Sequence, residues 1–352
     1  CKDMSAVTAR PLVLGVERSA SGKRWEARGS SERQVQFLQQ KLGVSTALAS
    51  VLEARGIDPD QAIHFLEPKL RDLMPDPNVL KDMSLAVSLM ADALDKSSKI
   101  ALFGDYDVDG MSSTSMLQRA LIGLGNSPIT YIPDRKAEGY GPNAPAMDTL
   151  WEQGARVLVT IDCGIAAFEP LAHAKELGFT VIVLDHHKAE VKLPEADAIV
   201  NPNRLDDTSG LGSLCAAGVV FLFLVGLQRE LKTRGYFAAR QPLDLKMALD
   251  LAGLATVCDL VPLEGLNRVF VKQGLEILKA RTNIGLAALM DASQLKSAIS
   301  ASTLGFQLGP RLNAGGRVGN ATVGVELLTT NDAMQAKRIA QLLDRQNEER
   351  KA

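Results

Sequence analysis

The 352 residues carry 39 Lys+Arg against 41 Asp+Glu, a formal charge of −2, with 46% hydrophobic and 23% charged residues. This is globular composition without the bias of disordered chains, and without a net positive field, so a nucleic-acid partner would have to be held by a local basic surface. No stretch reaches the ~18 uninterrupted apolar residues of a membrane span, and the four cysteines lack C-x-x-C spacing, so neither a disulfide framework nor a structural zinc site is suggested; a soluble cytoplasmic protein is expected.

Residues 1–30, with SASGKRWEARGS, are polar and Gly/Ser-rich and read as a mobile tail. From 31 to 83 come short helical patterns, SERQVQFLQQKLG, STALASVLEARG and DPDQAIHFLEPKL, each opening on a capping residue or Asp-Pro and closing near Gly or Pro. At Lys99 the texture changes. KIALFG, ITYIPD, ARVLVTID, TVIVLD and ADAIVNP recur every ~25 to 30 residues with helix-length segments between them, which predicts an α/β domain over 84–330 built on a parallel sheet with crossover helices on both faces. After Pro202 the strand signals fade into apolar helices, and a final helix over 331–352 opens on Asn331 with Met334, Ile339, Leu342 and Leu343 on its apolar side before turning polar. It reads as the start of an interdomain linker. Both chain ends, at Cys1 and in RQNEERKA, are expected to be cuts.

In open α/β sheets ligands bind at the carboxyl ends of the strands, so the residues that follow each strand carry the chemistry. Here they are acidic or imidazole. Asp105, Asp107 and Asp109 follow IALFG, Asp162 follows VLVTI, Asp185-His186-His187 follow VIVL, and Asp259 follows the helix DLAGLATVC. Taken singly each has a bland reading: Asp162 as a helix N-cap, the His pair as a surface pair, Asp259 as the start of a turn. Their coincidence at several element ends favours a metal site, because carboxylates crowded together repel by several kcal/mol unless a cation neutralises them. Carboxylates with one or two imidazoles suit Mn²⁺ or Mg²⁺, and two such ions ~3.5 to 4 Å apart can clamp a phosphoryl transfer.

Sharper alternatives fail on particular residues. An EF-hand loop needs Glu where Met116 stands and a helix where KIALFG stands; a haloacid-dehalogenase-like phosphatase wants Thr or Val two residues after the second Asp of its D-x-D, where Asp109 or Met111 stands. There is no Walker-A string, and GLGSLCAAG puts Cys215 where the third Gly of a dinucleotide fingerprint should fall.

The strings ALFGDYDVDGMSSTSML, TIDCG, VLDHH and LATVCDLVPL, in that order, resemble the DHH phosphoesterase superfamily. YIPDRKAEGYGPN, IVNPN and GPRLNAGGRVGNA further resemble its RecJ branch of exonucleases specific for single-stranded DNA. The resemblance implies hydrolysis of single-stranded DNA from the 5′ end to mononucleotides by two Mn²⁺ or Mg²⁺ ions held by Asp107, Asp109, Asp162, His186 and Asp259. Asp162 would bridge, Asp105 and His187 would complete or support the site, and His187 would contact substrate. It also implies that Arg135 and Arg317 face substrate phosphates with Asn313 nearby, and that Arg311, Gly315 and Gly316 belong to the same phosphate-binding string, where a Gly-rich loop would let backbone approach. Ordinary loop punctuation stays open for these glycines, and Tyr140 is either a base-stacking platform or a core-edge aromatic. The implied partners are the 5′ end of single-stranded DNA and DNA repair proteins, with no membrane and a monomeric state. NAGGRV stands where NAAGRM is usual and Cys258 where a small Ala is common; neither removes a ligand. The family continues into a second domain and an oligonucleotide-binding fold, so a catalytic portion is expected. A phosphoesterase acting on small substrates, or a degenerate DHH module that only binds, are the alternatives.

Overall fold

The computed structural model describes residues 12–26, 31–295, 298–318 and 322–351, the side chains of 317 and 318 excepted. Two compact units divide the chain, 1–73 and 74–352. In the first unit, within the stretch expected as a tail, Leu12 and Glu26 form an antiparallel bridge and the Val13 amide donates to the Trp25 carbonyl at 2.9 Å. Helices α1 (Glu32–Leu42), α2 (Thr46–Ala54), α3 (Ala62–Leu66) and α4 (Leu70–Leu73) follow. Ser31 and Ser45 cap the first two through their side chains, and left-handed Gly43 ends the first. Val35, Leu38, Ala49, Leu52 and Ala62 close their small core. The third expected helix is short because Pro68 disfavours helical backbone at the residue before it.

The second unit starts with α5 (Met83–Asp95) and then alternates β1 (Ile100–Gly104), α6 (Val108–Gly123), β2 (Ile129–Tyr131), α7 (Ala144–Glu152), β3 (Val157–Ile161), α8 (Phe168–Leu177), β4 (Thr180–Leu184) and β5 (Ala198–Val200). The five strands are all parallel in the order β2-β1-β3-β4-β5, which is the expected α/β sheet. Its strands are continuous apolar runs because both faces are covered. Phe103, Leu158, Val181, Val183 and Ile199 pack with Met147 and Leu150 of α7 and Leu171 of α8, while α5, α6 and α9 (Ala216–Thr233) lie against the other face. In this order β1 and β3 are neighbours from which the chain winds in opposite directions, so their carboxyl ends flank the crevice where such sheets bind ligands.

The chain continues through α10 (Leu249–Cys258), α11 (Gly265–Lys279), α12 (Ile284–Ala292), α13 (Ala301–Thr303), α14 (Gly309–Val318), α15 (Thr322–Thr329) and α16 (Ala333–Lys351). Among the described residues no helix is long and apolar enough to cross a membrane.

Two expectations are corrected. The string GPRLNAGGRV is no glycine loop: it forms α14, entered through a π-helical stretch at Leu304–Leu308. Its glycines serve helix packing, since a Cβ on Gly315 would lie 2.9 Å from Leu343 Cδ2 of α16. The start of α16 is capped by Asp332, whose Oδ1 accepts from the Met334 amide at 2.8 Å, and not by Asn331; Met334, expected on the apolar side, is exposed.

Candidate metal centre

The ends of β1, β3, β4 and α10 bring the expected acidic and imidazole residues into one cluster. After β1 the chain turns sharply into α6, with Asp107 as N-cap accepting from the Gly110 amide at 3.0 Å. Gly110 is obligatory there, because a Cβ would stand 2.6 Å from the Asp105 carbonyl oxygen. Asp109, in the first turn of α6, reaches across to α9: its Oδ2 and Oδ1 accept from the amides of Ala216 at 2.6 Å and Ala217 at 2.9 Å. The N-terminal amides and dipole of α9 thus offset part of its charge. Asp162 follows β3 in the left-handed region at φ 61°, strain that a non-glycine residue adopts only where its surroundings enforce it. The cap reading fails for Asp162, since α8 begins at Phe168 behind Ala167.

His186 is no surface histidine. Its Nε2 lies 3.2 Å from Asp162 Oδ1, 3.6 Å from Asp109 Oδ2 and 3.8 Å from Asp259 Oδ2, the last contributed by the C-terminal end of α10. Asp185 is wholly buried and is not among the three carboxylates that His186 Nε2 faces. Its Oδ1 accepts from the amides of His186 and His187 and from His187 Nδ1 at 2.8 Å, and its Oδ2 from the Ile165 amide.

The electrostatics are those of a site short of positive charge. Burial, with Asp107 adding repulsion, pushes the Asp105 carboxyl up to about 7. Burial and then the Asp109 charge raise Asp162 well above the carboxylate range and bring Asp259 to about 6, and burial raises Asp109 despite His186. Burial would raise Asp185 too, but its bonds with His187 and the backbone amides outweigh that and hold it below the usual value. The same bond raises His187 to about 8.

Two sets of ligand atoms lie within 4.8 Å of one another, Asp105 with Asp107 and Asp162, and Asp109 with His186 and Asp259; Asp162 also groups with His186 and His187. The buried oxygens Asp105 Oδ1 and Asp162 Oδ1 have no hydrogen-bond partner. Mutually repelling carboxylate oxygens left without hydrogen bonds beside one imidazole are a donor set that fits hard or borderline divalent cations.

Around this cluster stand some of the expected substrate residues. Tyr140 is 55% exposed, its hydroxyl donating to the Asp162 carbonyl at 3.2 Å and its ring edge-on to His187, which puts it at the rim of the cluster and not in the core. The Arg135 guanidinium lies over the Tyr106 ring, 5.2 Å from its centroid. Arg311 is turned into the fold instead: 9% exposed, its Nε donates to Asp344 of α16 at 2.7 Å and its Nη1 to the Gln307 carbonyl, so it is not presented to a phosphate. Asn313 is half-buried on α14, and Gly315 and Gly316 are buried there; the side chain of Arg317 lies outside the described residues. Sequence reasoning passed over Asp185 as an organising residue and assigned no role to Asn201 and Asn203, which bond the His187 and His186 carbonyls at 2.9 and 2.5 Å. The available signals were their place just after β4 and β5 and their membership of the strings VLDHH and IVNPN, neither of which names a hydrogen-bond partner.

Residues 99–256 match the model of the DHH family, N-terminal domain. The chain is 38% identical over 334 residues to the single-stranded-DNA-specific exonuclease RecJ of Bacillus subtilis, a match covering 94% of this chain and 41% of that protein. It is 37% identical over 309 residues to that of Escherichia coli, covering 86% and 53%. The chain thus spans about half or less of the length of these relatives. Among solved structures, exonuclease RecJ bound to manganese superposes with a TM-score of 0.70 at 34% identity, covering 79% of this chain and 68% of that one. RecJ of Thermus thermophilus in complex with Mn²⁺ gives 0.75 at 30% identity, covering 91% and 44%.

Proposed function

This chain belongs to the RecJ family of DHH phosphoesterases, and we propose that it works there as a metal-dependent phosphodiesterase that removes mononucleotides from the 5′ end of single-stranded DNA. The observation that carries the reading is the pair of buried oxygens without a hydrogen bond, Asp105 Oδ1 and Asp162 Oδ1, the latter 3.2 Å from His186 Nε2. Asp105, Asp107 and Asp162 would hold one Mn²⁺ or Mg²⁺ and Asp109, His186 and Asp259 a second, with Asp162 within reach of both groups. Divalent ions there would supply Lewis acidity, giving an activated water at neutral pH and compensation for phosphate charge.

The chain's own groups do the rest. Asp185 occupies Nδ1 of His187, which leaves Nε2 for a phosphate or leaving-group oxygen, and it keeps the imidazole protonated to about pH 8. Tyr140, fixed through its hydroxyl, offers a ring on which a base can stack, and Arg135 above Tyr106 supplies positive charge at the same rim. Arg317 on α14 is proposed to read the 5′-phosphate with Asn313. In this reading residues 84–330 are the catalytic domain, preceded by the helical segment 31–83 and followed by the helix within 331–352; the protein acts as a cytoplasmic monomer in DNA repair and recombination. The test is to incubate the chain with 5′-labelled and 3′-labelled single-stranded DNA, with and without Mn²⁺. Mononucleotides released from the 5′ end only, and none in chelator, are expected; chelator-resistant cleavage or release from the 3′ end would refute the reading.

A further inference from the structure

The turn that carries both histidines is held from two sides. On one side Asp185 Oδ1 accepts the amides of His186 and His187 at 2.7 and 3.1 Å. On the other, side-chain amides take up the two carbonyls. Asn201 Nδ2 donates to the His187 carbonyl at 2.9 Å, and Asn203 Nδ2 donates to the carbonyls of His186 at 2.5 Å and Gly212 at 3.1 Å. The two asparagines are tied together, since Asn201 Oδ1 accepts from the Asn203 amide at 2.7 Å. Asn201 is wholly buried, and a Cβ on Gly212 would lie 2.6 Å from Asn203 Oδ1, so the neighbouring stretch of chain leaves no slack.

The base of this arrangement is rigid. Arg204, directly after Asn203 and nearly buried, donates to Asp82 at the start of α5, to Asp206 and to the carbonyl of Ile199 in β5. The Asp185 amide in turn donates to the Val200 carbonyl. All four backbone polar groups of His186 and His187 therefore have partners, although the segment is neither helix nor strand.

We infer that Asn201 and Asn203 are positioning residues for the metal centre, a two-amide clamp that fixes the His186–His187 backbone and so holds His186 Nε2 among Asp109, Asp162 and Asp259. The inference rests on the metal-site reading proposed above. His186 reaches its three carboxylates at 3.2 to 3.8 Å from a backbone with no regular structure to hold it. Loss of an outer hydrogen bond that orients a ligand costs about 10- to 100-fold in metal affinity, and the clamp acts on the ligand's own backbone.

The experiment is a Mn²⁺ titration without DNA, followed through the resonance of free Mn²⁺, on the parent, Asn201→Ala, Asn203→Asp and Asn283→Ala. Asn203→Asp keeps the side-chain shape and the Oδ1 acceptor but aims an acceptor at two carbonyls. Asn283, which caps α12 and donates to the Leu328 carbonyl, is a buried asparagine outside the centre and controls for general destabilisation. All are measured at a temperature where circular dichroism shows each folded. Asn201→Ala and Asn203→Asp should each weaken Mn²⁺ binding by about 10- to 100-fold, with Asn283→Ala at the parent value. Parent-like affinity in both clamp variants, or an equal loss in Asn283→Ala, would overturn the clamp. A parent that takes up no Mn²⁺ would overturn the metal reading beneath it, whereas one that takes up Mn²⁺ without cutting DNA would overturn only the nuclease activity.

Discussion

Removing one carboxylate from the cluster should stabilise the protein once metal is stripped away, and Asp105→Asn is the cleanest case. Asp105 is buried at the end of β1 with one oxygen unpartnered, and its pKa rises from 3.8 to about 7 on folding. Well below pH 3.8 the carboxyl is protonated in both states and costs nothing. As pH rises towards 7 the unfolded chain releases its proton and the folded one does not, so folding loses free energy across that window and the full cost stands above it. Three units at about 1.36 kcal/mol each give a penalty of about 4 kcal/mol at pH 8, an upper figure because Asn retains some desolvation cost. In EDTA, urea melts from pH 3 to 8.5 should therefore show Asp105→Asn level with the parent at pH 3 and increasingly more stable through pH 7, by up to about 4 kcal/mol. Saturating Mn²⁺ should reverse the order, since metal stabilises the parent by binding only its folded state. A variant that is less stable than the parent in EDTA at pH 8, or a difference independent of pH, would refute the account of a charge-starved site.

Asp162→Ala should abolish Mn²⁺-dependent hydrolysis by orders of magnitude without melting below the parent in chelator, whereas Asp109→Ala should also lose activity but melt lower than Asp162→Ala, because it strands the Ala216 and Ala217 amides at about 1–3 kcal/mol per group; equal melting of the two would remove the capping role of Asp109. Asp185→Asn takes away the partner that raises His187 to about 8, so the basic limb of the kcat–pH profile should move towards 6.5, and an unmoved limb would show that His187 does not act as the proton donor. Arg317→Ala should erase most of a preference for 5′-phosphorylated over 5′-hydroxyl DNA, roughly 10- to 100-fold. Arg311→Ala should spare that preference and lower stability by about 1.5–3 kcal/mol, because it removes a charge-assisted hydrogen bond to partly exposed Asp344; a melt unchanged by Arg311→Ala, or loss of the preference there instead, would reverse the two assignments.

The parallel sheet and the metal-ligand candidates were legible because both are local. A strand buried on two faces needs a continuous apolar run, which KIALFG, VLVTI and TVIVL display, and a ligand candidate at a sheet's carboxyl edge can be the residue that directly follows such a run, as Asp105 and Asp162 do. What stayed hidden depends on groups that meet only when the chain folds. GPRLNAGGRV reads as glycine-rich loop, yet it is a helix because small residues let it lie against Leu343 of α16. Arg311 has the chemistry of a phosphate ligand, and only the approach of Asp344, 33 residues on, spends its guanidinium inside the fold. Asp109 can be marked as a ligand from its string, but that the same carboxylate caps a helix more than a hundred residues away is visible only where α6 meets α9. Likewise no spacing rule links Asn201 and Asn203 to the histidine carbonyls, since hydrogen bonds between loops leave no period in a sequence.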